Sequence, residues 1–395
     1  MTRPSGSVGQ PVIECSVVLP CLNESDTVAT CVDAAWQALV SHGISGEVIV
    51  ADNGSTDDSP GLAAAAGARV VSVVQRGYGS ALIGGITAAK GRFVVMADAD
   101  LSYDLSFVPA FVAKLRDGHD LVQGCRLSSG GGQVMPGAMP LLHRYVGNPL
   151  FSLMARWWFR APIHDIHCGM RGFTKELFQR LDQRCTGMEF ASEMVIKASL
   201  ANARIAEVPI TLRPDGRRAH APHLRTFRDG WRHLRFFLLF SPRWLFLVPG
   251  IVLGLLSMIG YAIAMPRLTI SGITFDVHTL LFASLALICG VQAIVFALMT
   301  KVFAIAEGLL PSDERLTRLF RVATLERGLL LGFVTIALGL IFLVVAVNQW
   351  RQRDFGDLDY AQTMRWVIPG MTLTVLGFQG ILSSFFFSIL GMHRR

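Results

Sequence analysis

The sequence predicts an α/β domain on a parallel sheet, then an amphipathic helix at a membrane surface, then four transmembrane α-helices. Three observations carry this reading. Short β-branched runs alternate with helix-like stretches over residues 1–221, an arginine-rich stretch with apolar residues at helical spacing follows at 222–240, and four apolar stretches fill residues 241–395. Across 395 residues, a hydrophobic content of 52% and a mean hydropathy of +0.46 are too high for an ordinary soluble enzyme.

The first strands are "VIECSVVLP", "EVIVADNGSTDDS" and "RFVVMADAD", each a β-branched run ending in polar turn residues. Between them, "SDTVATCVDAAWQALVSHG" reads as a helix capped by Ser25 or Asp26 and closed by Gly43, and "GSALIGGITAAKG" as a helix closed by Gly91. Strands alternating with helices imply a parallel sheet, whose ligands sit at the carboxyl ends of the strands. Pro20-Cys21-Leu22-Asn23-Glu24, Asp52-Asn53-Gly54-Ser55-Thr56-Asp57 and Asp98-Ala99-Asp100 all fall at such ends and converge on one crevice. Side chains two apart share a face of a strand, so Asp98 and Asp100 are expected side by side. Such a pair suits Mg²⁺ or Mn²⁺, which uses one or two carboxylates and leaves positions for phosphate oxygens, so a nucleoside diphosphate is the natural guest. A strand cap and turn is the plain alternative, since the same spelling, Asp357-Leu358-Asp359, recurs in a loop.

In the arginine-rich stretch, Leu224, Phe227, Trp231, Leu234 and Leu238 recur at spacings of three and four, with Arg225, Arg228, Arg232 and Arg235 beside them. This is the pattern of a helix lying on an anionic membrane. His220, His223 and His233 fit no standard zinc spacing and are read as solvated or near phosphate. The apolar stretches near 243–264, 279–304, 328–347 and 367–391 each match a bilayer span. Lys301, Arg315, Arg318, Arg321 and Arg327 lie between the second and third spans, against Arg267 alone between the first two. With no signal-like apolar segment in "MTRPSGSVGQPVIEC", the expectation is an integral membrane protein with its first domain and both termini cytoplasmic. Cys15, Cys21, Cys31, Cys125, Cys168, Cys185 and Cys289 are odd in number without CxxC, and are read as reduced packing residues.

The ordered blocks "VVLPCLNES", "ADNGSTDDS", "RGYGSALIGGITAAKG", "MADADLSYD", "GCRL", "DIHCGMRGFTKELF" and "ASEMVIKASLANARIAEVPI" resemble the family 2 glycosyltransferases with the GT-A fold. More narrowly they look like the polyprenyl-phosphate members, the dolichol-phosphate mannose and glucose synthases, over residues 13 to 240. The resemblance implies that Pro20, Glu24 and Asp52 line the nucleoside pocket and that Asp98 and Asp100 hold the metal and donor diphosphate. Where the family carries a Gln after the second Asp, this chain has Ser102, which leaves the third metal ligand open. The family's "DDGS" reads Asp52-Asn53-Gly54-Ser55, one negative charge fewer. Arg126 matches an arginine at the acceptor phosphate, and Arg144 with Asn148 a second arginine and its polar neighbour. Arg171 matches a family position and reads equally well as a structural ion pair with Asp165. Arg213, Arg217 and Arg218 fall in a basic segment that can close over donor phosphates.

The implied reaction is inverting transfer of one hexose from a nucleotide sugar to a polyprenyl phosphate, in which a phosphate acceptor needs charge neutralisation more than a strong base. Glu189 and Glu193 are candidates for sugar contacts or for plain helix carboxylates. Nucleic acid is not an expected partner, and association of copies through the spans stays open. Two alternatives stand beside this. Gln362-Thr363-Met364-Arg365-Trp366 spells the QxxRW of processive polysaccharide synthases, but after three spans, while "FSPRW" at the interfacial position has Phe240 in place of Gln. A lipid carrier with a nucleotide-sugar-sensing domain would need intramembrane charge, which the spans nearly lack.

Overall fold

The computed structural model describes residues 13–217, 226–306, 313–316, 318 and 324–392. The chain divides into two units, Met1–Phe236 and Phe237–Arg395.

In the first unit, strands β1 (Cys15–Cys21), β2 (Gly46–Asp52), β3 (Arg69–Ser72) and β4 (Phe93–Met96) alternate with helices α1 (Val28–Ser41), α2 (Ser59–Ala65) and α3 (Tyr78–Ala88). Then come α4 (Val108–Arg116), β5 (Leu121–Cys125), β6 (Gln133–Val134), α5 (Asn148–Phe159), β7 (Arg171–Thr174), α6 (Lys175–Leu181), α7 (Phe190–Leu200), β8 (Ile205–Pro209), β9 (Thr211–Leu212) and α8 (Thr226–Leu239). Seven strands form one sheet in the order β3-β2-β1-β4-β7-β5-β8, parallel except for β7, which runs antiparallel to β4 and β5. All seven residues of β1 are buried, as a central strand covered on both faces requires. This is the GT-A form of the Rossmann-like sheet.

Register explains the convergence of the polar loops. Cys21 pairs with Asp52 and Asp52 with Ser72, so β1, β2 and β3 end at one level. Two local expectations need correction. Helix α1 starts at Val28 with Thr27 at its N-cap position, not Ser25 or Asp26: the N–H groups of Thr27 and Val28 both donate to the Glu24 carbonyl, so residues 24–27 form a turn ahead of the helix, and no side chain caps it. Strand β4 stops at Met96, so Asp98 and Asp100 sit in the turn beyond it and not on one strand face. That turn passes through Leu101 at φ +63°, a left-handed conformation disfavoured for a branched side chain.

In the second unit, Arg243–Ala264, Val277–Ala306, Leu325–Arg351 and Tyr360–Leu390 are long and apolar enough to cross a membrane. A short hairpin, Thr269–Ile270 with Ile273–Thr274, joins the first two. Small residues set the close approach of the last two. A Cβ on Gly339 would meet the Gly370 carbonyl oxygen at 2.7 Å, one on Gly377 would meet that of Gly332 at 2.7 Å, and one on Gly328 would strike the Ser384 side chain. At the head of the second span, Asp276 accepts from Arg365 at 2.5 Å and pairs with Arg267 at 3.1 Å. The seven cysteines are free, five of them buried.

Candidate active site

The crevice is built from the loops after β1, β2 and β4. After β2, Asp52 is buried and accepts from the backbone N–H groups of Gly54 and Ser55, both at 3.1 Å. Pro20 is buried one position before the end of β1, opposite Ala51. Asn23, at φ +60°, accepts from the Thr56 N–H at 2.7 Å and donates its own N–H to the Ser55 hydroxyl at 2.9 Å, which joins the first two loops. Asn53 explains the missing charge in the "DDGS" block. Its side-chain amide donates to the carbonyls of Val73 at 3.0 Å and Gln75 at 2.7 Å while its oxygen accepts from Gly77 at 2.7 Å. A carboxylate could make only the last of these bonds.

Beyond β4, both oxygens of Asp100 are engaged. Oδ1 accepts from the Ser102 N–H at 3.0 Å and its hydroxyl at 2.5 Å, and Oδ2 accepts from Arg217 at 3.0 Å. Asp98 accepts from the Tyr78 hydroxyl on Oδ1 at 2.9 Å, and no hydrogen bond from the described residues reaches its Oδ2. Burial, then the charge of Asp100, pushes the Asp98 carboxyl up to about 6, against partial relief from Tyr78, Arg217 and Arg126. Two clustered carboxyls, one with an open oxygen, are a donor set that fits a hard divalent cation. Asp98 and Asp100 would hold it, and the Ser102 hydroxyl keeps lone pairs although its proton is given to Asp100.

Arg217 also donates to Glu24 at 3.1 Å and through Nε to Asp215 at 2.7 Å, so the basic segment reaches into the crevice. Arg213 instead turns outward to Asp104 at 2.5 Å, away from Asp98 and Asp100, and Arg218 lies outside the described residues.

At the acceptor end, Arg126 is buried and bidentate on Asp165, with Nε to Oδ2 at 2.7 Å and Nη2 to Oδ1 at 2.9 Å. Its Nη1 reaches the Tyr103 hydroxyl at 3.4 Å. The ion pair expected for Arg171 therefore belongs to Arg126. Arg171 is fully buried and donates only to carbonyls, those of Cys168, Ile166 and Ala191. Asn148 accepts through Oδ1 from His167 Nδ1 (3.1 Å), and the His167 ring packs 4.4 Å from that of His233, whose Nδ1 meets Ser192 at 3.0 Å. His233 is thus buried against the domain, not solvated as the sequence suggests, while Trp231 on the same helix is 61% exposed. His220 and His223 lie outside the described residues. Glu193 is committed to the N–H groups of Arg184 and Cys185 and to Lys197, leaving it no part in sugar contact, and Glu189 lies 3.9 Å from Arg232.

Sequence reasoning missed one surface. Over 141–159 the buried face is Asn148, Ser152, Ala155 and Phe159, yet the opposite face exposes Leu142, Val146, Leu150, Leu153 and Trp157. The signal lay in "LLHRYVGNPLFSLMARWWF", where Leu142, Val146, Leu150, Leu153 and Trp157 recur at spacings of four, four, three and four while the opposite face carries Asn148 and Ser152. Arg144 sits in this stretch, 5.4 Å from the Tyr145 ring and without a carboxylate partner among the described residues. The neighbouring His143 is held below its usual range by burial and then by the charge of Arg126.

Residues 16–182 match the glycosyl transferase family 2 model, and residues 298–391 match the family 2 C-terminal transmembrane region. The chain is 35% identical over 378 residues to the low-salt glycan biosynthesis hexosyltransferase Agl6 of Haloferax volcanii, covering 95% of this chain and 89% of that protein. It is 34% identical over 168 residues to a dolichyl-phosphate hexose transferase of the same organism, covering 42% and 70% of the two chains. Among solved structures, it is 26% identical to glucosyl-3-phosphoglycerate synthase of Mycobacterium tuberculosis, at a TM-score of 0.45 over 60% of this chain and 85% of that one.

Proposed function

The chain belongs to glycosyltransferase family 2, and from that premise we propose that it transfers a single hexose from a UDP- or GDP-sugar to a polyprenyl phosphate, with inversion. The product is a polyprenyl-phosphate sugar made on the cytoplasmic side, where the arginine-rich loop between the second and third spans also lies. Pro20, Glu24 and Asp52 receive the nucleoside. Asp98 and Asp100 hold Mg²⁺ or Mn²⁺, which when bound supplies charge neutralisation for the departing nucleoside diphosphate. Arg217 turns from the carboxylates to the donor phosphates.

The observation that carries the lipid acceptor is the 141–159 segment. A helix that exposes an unbroken apolar stripe while holding an unpaired Arg144 among the described residues offers a lipid chain and its phosphate what each needs. Arg126 spends its Nε–H and one Nη2 N–H on Asp165 and turns Nη1 to the Tyr103 hydroxyl, so it keeps N–H groups on Nη1 and Nη2 for a phosphate oxygen and positions the acceptor together with Arg144 and Asn148. Single transfer is favoured over polymerisation because Arg365 of the QxxRW spelling is already bound to Asp276 within the membrane unit.

The test is transfer of label from a panel of UDP- and GDP-hexoses to polyprenyl phosphate by detergent-purified protein, with Mg²⁺ or Mn²⁺ and with EDTA. A metal-dependent, one-sugar lipid product is the expected result. Nucleotide-sugar binding with no labelled lipid from any donor would move the reading to a carrier with a sensing domain, and a ladder of products to a polymerase.

A further inference from the structure

We propose that Arg217 is the resident cation of the donor crevice, lodged on the carboxylate that the divalent metal needs, and that metal and donor enter by exchanging with it. The inference rests on the donor-site reading above and adds how that site is kept before it is filled.

The guanidinium is held by three carboxylates: Glu24 from the end of β1 at 3.1 Å, Asp100 from the turn after β4 at 3.0 Å, and Asp215 two residues upstream at 2.7 Å. Its side chain is 12% exposed. Two of these partners lie 193 and 117 residues away in sequence, so the fold, not the local chain, makes the socket. A planar fork in such a socket forms charge-assisted bonds stronger than neutral ones.

The conflict with a metal is specific. Asp100 Oδ1 is filled by the N–H and hydroxyl of Ser102, which leaves Oδ2, and Oδ2 is the oxygen that Arg217 takes. A divalent cation using that oxygen would meet a guanidinium at the same place, and the two positive charges repel at that separation. The guanidinium places a positive charge among Glu24, Asp100 and Asp215 and so lessens their mutual repulsion.

What moves is the side chain. The backbone before it is pinned, with the Gly216 N–H donating to the Asp100 carbonyl at 2.8 Å and the Arg213 N–H to the Ser102 carbonyl at 2.9 Å. The same pinning brings Gly216 against Leu101, where an added Cβ would lie 2.9 Å from Cδ1. A fixed backbone with a long, swinging cation delivers the arginine to the donor phosphates once metal has taken Asp100.

The test is Mn²⁺ binding to the purified full chain without donor, read from the loss of the free-Mn²⁺ electron paramagnetic resonance signal. Arg217→Gln is expected to bind Mn²⁺ roughly tenfold more tightly than wild type, the size of one charge-assisted bond no longer competing. Arg217→Lys should stay near wild type. Asp215→Asn, which touches neither Asp98 nor Asp100, should loosen the arginine and tighten Mn²⁺ binding severalfold, and it decides the matter if Arg217→Gln fails to fold by thermal melting. Unchanged or weaker Mn²⁺ binding in the folded variants overturns the exchange. Mn²⁺ binding by none of the proteins overturns it together with the metal assignment. Tightened binding in a protein that transfers no sugar to lipid would instead sink the acceptor reading and leave the exchange standing.

Discussion

The loops after β1 and β2 and the 141–159 helix are opposites in how they leave their side chains. In the loops the polar atoms are spent inside the chain: Asp52 on two N–H groups, Asn53 on three backbone partners, Asn23 on the second loop. On the helix, five large apolar residues face outward and Arg144 has no carboxylate partner among the described residues. The contrast matches two kinds of guest. A nucleotide has a fixed outline and is recognised by groups held in place beforehand, whereas a polyprenyl chain is recognised by apolar area and needs only its phosphate to be located.

The largest effect should come from the crevice. Asp100→Ala is expected to cut sugar transfer by more than about 100-fold, the scale of losing a transition-state charge stabiliser, in protein that a thermal melt shows to be folded at the assay temperature. Retained activity would break the assignment of the donor to this end of the sheet. Asn53→Asp tests the rigidity of the loops: it removes two donations and sets a carboxylate against two carbonyl oxygens, so a loss of about 2–3 kcal/mol in stability is expected by chemical denaturation. If stability is unchanged, the loops are not held as described.

The helix should answer differently. Leu150→Ser with Leu153→Ser is expected to raise KM for the lipid about tenfold, from lost apolar area, and to leave KM for the nucleotide sugar alone. An equal rise for both substrates would erase the distinction between the two regions.

The smallest effect concerns pH. Burial, then the charge of His233, holds His167 well below its ordinary 6.5, so the fold keeps the ring neutral while the unfolded chain takes up a proton as pH drops through 6.5. The stability it contributes is complete above that value and lost below it. The wild-type melting temperature should therefore fall between pH 7.5 and 5.5, and less steeply in His167→Gln.

The strand ends were legible because alternation and turn residues mark them locally, and the crevice followed from the parallel sheet. What escaped was non-local. That β4 stops at Met96 depends on a turn through Leu101, which no propensity favours. Asp165 chose Arg126 over Arg171 because Gln123 and the Arg171 carbonyl contacts shape the 165–168 loop, and the loop aims its carboxylate at Arg126. The burial of His233 escaped because its partner Ser192 lies 41 residues upstream. Arg217 sat among candidates, but spacing could not reveal that it bonds to Glu24 and Asp100 at once.

The glycine seam of the last two spans also decides a handedness. Gly332, Gly339 and Ala346 on one helix, and Gly370, Gly377 and Ser384 on the other, recur every seven residues, or 3.5 per turn. On straight helices of 3.6 residues per turn, such a seam would drift by about 20° per heptad. To keep the small residues facing one another, the pair must coil left-handed, and a four-residue glycine spacing in its place would favour the right-handed crossing.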